Sequence, residues 1–235
     1  MMQVLRYAAL AAAPILAVCL APAAHATETS LAAALQKLAP NANPQVIDLA
    51  LKATDCAAAN GMPPSERLAV IDYSRPSTEP RLWVFDLTQR KLLFQELVAH
   101  GKNSGDNLAT RFSNKPESLE SSLGLFRTMQ SYDGHNGYSL RMNGLEPGTN
   151  DKALERAIVI HGASYVDSGT AGKLGRIGRS WGCPAVRKAI AKQLIDTMKN
   201  GQYVFSYYPD QQWLASSPYL KCSNARMASA ARAAP

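Results

Sequence analysis

The chain of 235 residues predicts an α+β protein, mainly β with a few helices. Three observations predict it: two helical patterns near the start, a series of short apolar and β-branched runs from Arg67 onward, and one amphipathic helical pattern before the last run. The first helix spans Leu31 to Ala39 and the second Pro44 to about Asn60, with Asn43 as cap and Gly61 as stop. The runs that follow are RLAVIDYS, RLWVFDL, KLLFQELVAHG, LGLFRTM, YSLRMNGL, AIVIHGAS and QYVFSYYP. Leu82–Leu87 and Lys91–Ala99 are separated only by Thr88, Gln89 and Arg90, which predicts a hairpin. Val186, Ile190, Leu194 and Met198 recur every four residues and end at Lys199, Asn200 and Gly201, a helix with a glycine stop.

Residues 1–26 have the composition of a secretory signal: Arg6, an alanine-rich apolar run from Tyr7 to Ala24, and the small-x-small sequence Ala24-His25-Ala26. Pro14 and the many alanines make a poor spanning helix, and no other stretch approaches the roughly 20 apolar residues a span requires. Val18 before Cys19 does not fit a lipoprotein signal. The expectation is an exported protein of the periplasm or cell envelope, divided into signal peptide 1–26, helical extension 27–66, catalytic domain 67–209 and a largely disordered tail 210–235.

Cleavage after Ala26 leaves Cys56, Cys183 and Cys222, an odd number. The economical arrangement in an oxidising compartment pairs Cys56 with Cys222 and leaves Cys183 free. A competing reading makes Cys56 an ordinary core residue, since it shares a helical face with Val46, Leu49 and Ala53. The formal charge is +7, and it suits an anionic surface or polymer without selecting one. The basic residues are scattered and no nucleic-acid-binding motif is present, so nucleic acid is not an expected partner. No cluster has metal-ligand spacing, Lys173 is followed by Leu174 rather than a P-loop Ser or Thr, and Ser164 lacks the glycines of a nucleophile elbow. No metal, no cofactor and a monomer are expected.

The segment GRSWGCPAVR, Gly178 to Arg187, sets one cysteine between a glycine-rich loop and the start of a helical pattern. Pro184 suits a first helical turn, which would put Cys183 at the N-terminal cap, where free N–H groups and the helix dipole favour a thiolate. Arg176, Arg179 and Arg187 would push the same way, and the N–H groups of Gly182 and Cys183 are candidates to hold an oxyanion. The bland alternative is a small buried hydrophobe. A working thiol needs a base, and His25 leaves with the signal while His135 sits in a glycine-rich polar loop. His100 and His161 each end an apolar run and precede a glycine. Local reading gives His161 only a slight edge, through the glycine-containing connection Gly169–Gly178 that can fold back towards Cys183.

At this point His161-Gly162, a glycine-rich interval and Ser180-x-Gly182-Cys183 resemble the signature of murein L,D-transpeptidases, exported cysteine enzymes that remodel peptidoglycan. The likeness extends from about Leu68 to Pro209, through RLWVFDLTQRKLLFQELVAHG, SSLGLFRT and GRSWGCPAV, and points to a divergent branch. It implies a β-rich catalytic domain built on a mixed sheet, with cysteine and histidine facing each other in a cleft. Cys183 would be the nucleophile, His161 the base and later acid, Ser180 a hydrogen-bond partner, and Gly182 part of the oxyanion hole. Gly162, Arg179, Arg187, Trp181, Ser122 and Gly124 are the substrate-side candidates. Trp181 stands where the family commonly has histidine, and Ala185 where it has asparagine or arginine, a position linked to substrate anchoring. The implied reaction is acyl transfer from a peptidoglycan stem through a Cys183 thioester to an amine, or to water. The rivals are a non-catalytic envelope-binding module on the same fold and a secreted cysteine peptidase of another substrate class.

Overall fold

The computed structural model describes residues 29–222; the expected signal segment 1–26 and residues 223–235 lie outside the described residues. Two helices come first, α1 (Leu31–Leu38) and α2 (Pro44–Ala59). Ser30 Oγ caps α1 by accepting the Ala33 N–H, and Asn43 caps α2 by accepting the Gln45 N–H, with Pro44 in the first turn. Strands β1 (Arg67–Asp72), β2 (Leu82–Asp86) and β3 (Lys91–Glu96) follow, β2 and β3 forming the expected antiparallel hairpin with an irregularity at Val84/Phe85. The run KLLFQELVAHG divides: β3 ends at Glu96 and a separate two-residue strand, β4 (Val98–Ala99), pairs elsewhere in the sheet.

The remaining elements are β5 (Gly124–Gly134), β6 (Gly137–Gly144), β7 (Val159–Ala163), α3 (Ser168–Leu174), β8 (Ala185–Arg187), α4 (Lys188–Met198), β9 (Tyr203–Tyr207) and α5 (Gln211–Ser216). Together the strands make one mixed nine-stranded sheet, ordered β3-β2-β1-β9-β5-β6-β7-β8-β4. The pairs β1/β9 and β7/β8 are parallel, and the others antiparallel.

Alternation along the strands divides the core between the two faces of the sheet. On β1, Leu68 and Val70 join the apolar cluster of α1, α2 and Trp213, whereas Ala69 and Ile71 join the cluster of Ala191, Leu194, Ile195 and Met198 from α4. The 27–66 extension is therefore one wall of the core. The segment 210–235, expected as a disordered tail, begins with ordered structure: Asp210 caps α5, Trp213 and Leu220 are buried, and Cys222 is disulfide-bonded to Cys56 with 5.7 Å between their Cα atoms. One aromatic and one leucine with a cavity to fill are enough to order a short stretch that composition alone reads as a tail. Cys56 is both buried and paired, so its two readings are compatible.

Candidate active site

The centre of the site is set by the register of two parallel strands. His161 on β7 lies opposite Ala185 on β8, two residues beyond Cys183. Cys183 is a free thiol, and it lines an open cleft of about 250 Å³ together with His135, Asn136, His161, Tyr165, Arg179, Ser180 and Trp181. Cys183 is 8% and His161 5% exposed, whereas Trp181 at the mouth is 74% exposed with Lys102 Nζ 5.8 Å from its ring centre.

The helix-cap expectation for Cys183 is overturned. Pro184 does not open a helix, because Ala185, Val186 and Arg187 are taken into β8 by pairing with both β7 and β4, and α4 starts at Lys188. Four residues, Pro184 to Arg187, lie between Cys183 and the helix start, so the helix dipole is not what acts on the sulfur. Sγ faces the segment before β7 instead, donating to the Ala157 carbonyl at 3.7 Å and accepting the Val159 N–H at 3.5 Å. Burial pushes the thiol up from its ordinary range, against the Val159 N–H and the Arg156 cation, which pull it down. Burial also pushes His161 down, opposed by the Gly162 carbonyl 3.2 Å from Nδ1. Burial thus disfavours the charged form of each, the thiolate of Cys183 and the imidazolium of His161.

The loop carrying the cysteine is tied down on every side. Ser180 Oγ accepts the Gly182 N–H at 3.1 Å and donates to the Cys183 carbonyl at 2.6 Å. The Ser180 N–H donates to the His100 carbonyl, and Ser121 Oγ donates to the Gly182 carbonyl at 3.1 Å. Gly182 has φ +117°, and a Cβ there would sit 2.7 Å from the Glu120 carbonyl oxygen. The Gly182 N–H is thus already committed to Ser180 Oγ, whereas the Cys183 N–H has no hydrogen-bond partner among the described residues.

The other histidine has a structural environment. His100 is fully buried, its Nδ1 2.7 Å from Nη2 of the fully buried Arg81 and its Nε2 3.3 Å from the Gly105 carbonyl. Burial, reinforced by Arg81, holds it down at about 4.

The structure distributes the substrate-side candidates unevenly. Arg179 and Trp181 line the cleft, Arg179 also pairing with Asp106 at 2.8 Å. Arg187 makes a two-pronged pair with Glu96, 2.7 and 2.6 Å, away from the cleft lining. Arg176 lies 3.8 Å from Asp106, so neither it nor Arg187 is the cation acting on the sulfur. Gly162 faces α4, where a Cβ would meet Ala191 at 2.7 Å, and Gly124 faces Glu146 at 2.6 Å. Ser122 Oγ donates to the Ser113 carbonyl and receives an Arg156 N–H, outside the cleft lining. Arg156, Tyr165 and Asn136 carry no motif that sequence reasoning could have used. Among the described residues no cluster of three or more His, Cys, Asp or Glu could hold a metal ion, and no helix is long and apolar enough to cross a membrane.

The sequence profile of the L,D-transpeptidase catalytic domain matches residues 38–207, and the chain belongs to that family. The match starts at the last residue of α1 and takes in all of α2, in accord with α2 forming part of the core. The fold is the mixed-sheet α+β type expected from the sequence. Similar solved structures include an L,D-transpeptidase from Mycobacterium smegmatis, at 13% identity over 62% of this chain and 60% of that one, TM-score 0.39. L,D-transpeptidase 1 of Mycobacterium tuberculosis is 12% identical over 62% and 63%, TM-score 0.34, and the Stackebrandtia nassauensis L,D-transpeptidase is 14% identical over 76% and 89%, TM-score 0.39. The chain thus spans about three fifths of the length of the two mycobacterial structures. No curated protein matches it in sequence.

Proposed function

We propose that this protein is an exported peptidoglycan L,D-transpeptidase that works through a Cys183 thioester. The observation that carries the reading is a free cysteine and a histidine, delivered by one parallel strand pair to the same cleft. Membership of the family supports the reaction class.

In the first step Cys183 attacks the carbonyl of the diamino acid that precedes the terminal D-alanine of a stem peptide. The sulfur's proton passes to His161 as the C–S bond forms, and the Cys183 N–H stabilises the oxyanion. His161 holds that proton and returns it to the departing D-alanine amine as the C–N bond breaks. In the second step an amine on a neighbouring stem gives its proton to His161 and attacks the thioester, expelling the thiol and forming an amide crosslink. Water in place of the amine would make the same machinery a carboxypeptidase. Ser180 and Ser121 fix the loop, one at the Cys183 carbonyl and the other at the Gly182 carbonyl, so that neither the sulfur nor the donor N–H has to be ordered during reaction.

The test incubates wild type and Cys183→Ala with disaccharide tetrapeptides and follows products by mass spectrometry. Wild type is expected to give an acyl-enzyme and a crosslinked dimer with loss of D-alanine, and Cys183→Ala none of these. Free D-alanine without dimer would assign hydrolysis as the reaction. A folded wild type that binds wall but yields no acyl-enzyme, dimer or D-alanine would replace the enzymatic reading with a binding module.

A further inference from the structure

A buried-facing guanidinium next to the nucleophile loop stands on a turn that no motif marks. Arg156 precedes β7, and its guanidinium donates four hydrogen bonds to the strap 113–122: to the Ser113 carbonyl at 2.6 Å, Ser122 Oγ at 2.5 Å, Ser118 Oγ at 3.1 Å and the Glu120 carbonyl at 2.6 Å. That strap holds Glu117 at φ +56° and Leu119 at φ +58°, conformations that disfavour side-chain-bearing residues and persist only where neighbours enforce them. The strap in turn grips the nucleophile loop through Ser121 Oγ on the Gly182 carbonyl. Arg156 also stands beside that loop, its Nη2 3.4 Å from the place a Gly182 Cβ would take. Its neighbour Ala157, at φ +52°, aims its carbonyl at Sγ.

We propose that Arg156 is the positioning residue of the nucleophile: it locks the 113–122 strap onto the Gly182–Cys183 loop and supplies the positive charge against which the buried sulfur ionises. The proposal rests on the reading of Cys183 as the nucleophile. The fork and the charge are separable. A lysine in this place keeps the charge but cannot span four acceptors, and a glutamine loses both.

Several other groups bear on the sulfur. Tyr73, at the end of β1, and Tyr165, after β7, are both pushed up to about 12 by burial first and then by proximity to the thiolate, so both stay neutral. His161, His135 and Arg179 line the cleft with it. Glu120 offsets part of the Arg156 charge, although its carboxylate also lies 3.5 Å from Arg111. Of the charged groups, Arg156 is the one that acts on the Cys183 thiol.

The experiment follows iodoacetamide alkylation of the full chain against pH, reading the Cys183 peptide by mass spectrometry, with hydrogen exchange recorded on the strap. Arg156→Gln is expected to move the midpoint of the profile up by about one pH unit, slowing alkylation near neutrality about tenfold. Arg156→Lys is expected to shift it less while exchange at 117–122 accelerates. A profile of Arg156→Gln that superposes on wild type would overturn the proposal, because a merely structural arginine alters melting and leaves the thiol's titration alone. Should the glutamine variant fail to fold, the lysine variant decides, since it keeps the charge and loses the fork: faster exchange at 117–122 supports the proposal, and strap exchange unchanged from wild type overturns it. No stem peptide enters this assay. A wild type without turnover but with a thiol that responds to Arg156 would remove the functional reading and leave the positioning role standing.

Discussion

Replacing Gly182 with alanine tests the link from backbone conformation to chemistry. The residue sits at φ +117°, where an L side chain costs on the order of 1–3 kcal/mol. The added methyl would also lie 2.7 Å from the Glu120 carbonyl and 3.1 Å from Ile158 Cδ1, both inside the roughly 3.5 Å of a van der Waals contact. Neither neighbour yields easily. The Glu120 carbonyl is held by Arg156 at 2.6 Å, and Ile158 belongs to the core cluster that contains Cys183. The loop itself must therefore move, which opens the Ser121 to Gly182 hydrogen bond and displaces the Cys183 N–H and sulfur together. A displacement approaching 1 Å at reacting atoms costs about 100-fold in rate. Gly182→Ala should lower acyl-enzyme formation by about that factor while unfolding about 1–3 kcal/mol more easily in urea, so that the folded protein is still available for assay. Single-turnover mass spectrometry of the Cys183 adduct, with urea unfolding in parallel, measures both. A folded variant that acylates within about threefold of wild type would refute the claim that this turn positions the nucleophile.

Further outcomes concern three other residues, Glu146, His161 and Cys222. Glu146 is fully buried and accepts the Leu125 N–H at 2.7 Å and the Trp213 Nε1–H at 2.8 Å, so Glu146→Ala, which orphans both donors, should cost about 2–5 kcal/mol in urea unfolding. Burial raises the Glu146 carboxyl, which means the folded state holds that proton more tightly than the unfolded chain. Its contribution to stability should therefore be greatest below the ordinary carboxyl range and decline as pH rises towards the raised value, a slope that Glu146→Gln should remove from a plot of unfolding free energy against pH. Because burial lowers His161 and a base must be unprotonated, the acid limb of turnover should fall below the ordinary histidine value of about 6.5, and His161→Asn should lose about 100- to 10,000-fold in turnover across the profile. Finally, Cys222→Ser should lower unfolding free energy by about 2–5 kcal/mol, since the bridge to Cys56 closes a separation of 166 residues; differential scanning calorimetry under oxidising conditions reads it.

The parts of the fold that were legible in the sequence are those decided within a few residues. Asn43-Pro44 and Gly61 delimit α2 by local backbone chemistry, and the three residues between the second and third runs are enough to predict a hairpin. What escaped depended on partners distant in sequence. KLLFQELVAHG reads as one strand, yet Val98 and Ala99 leave β2 to pair with Val186 and Ala185, residues from the other end of the domain. The same pairing explains the misplaced helix start. Val186 fits the four-residue apolar period, but the ladders on both its sides take it, and only Ile190 onward remains for the helical face. Arg156 was invisible for a related reason: its partners are four groups on a strap more than thirty residues earlier, and nothing around it in the sequence sets it apart from a solvated arginine.

The two histidines make the same point about function. His100 and His161 both end an apolar strand and precede a glycine, and no local rule separates them strongly. Their environments do. His100 is sealed in the interior with an arginine nitrogen 2.7 Å from Nδ1, and that arginine has no other use for the contact than to donate, since Nε and Nη2 reach the Val98 carbonyl and Nη1 the Arg75 carbonyl. A second positive charge beside it is unfavourable, so the imidazole is held neutral, and both of its nitrogens are consumed, one as acceptor and one as donor to Gly105. His100 therefore serves through its carbonyl, which receives the Ser180 N–H and so anchors the loop that ends in Cys183. His161 has only its neighbour's carbonyl at Nδ1, which leaves Nε2 for a group in the cleft. One motif thus yields a loop anchor and the histidine proposed as the base, and what separates them is first the burial of His100 and then the arginine beside it.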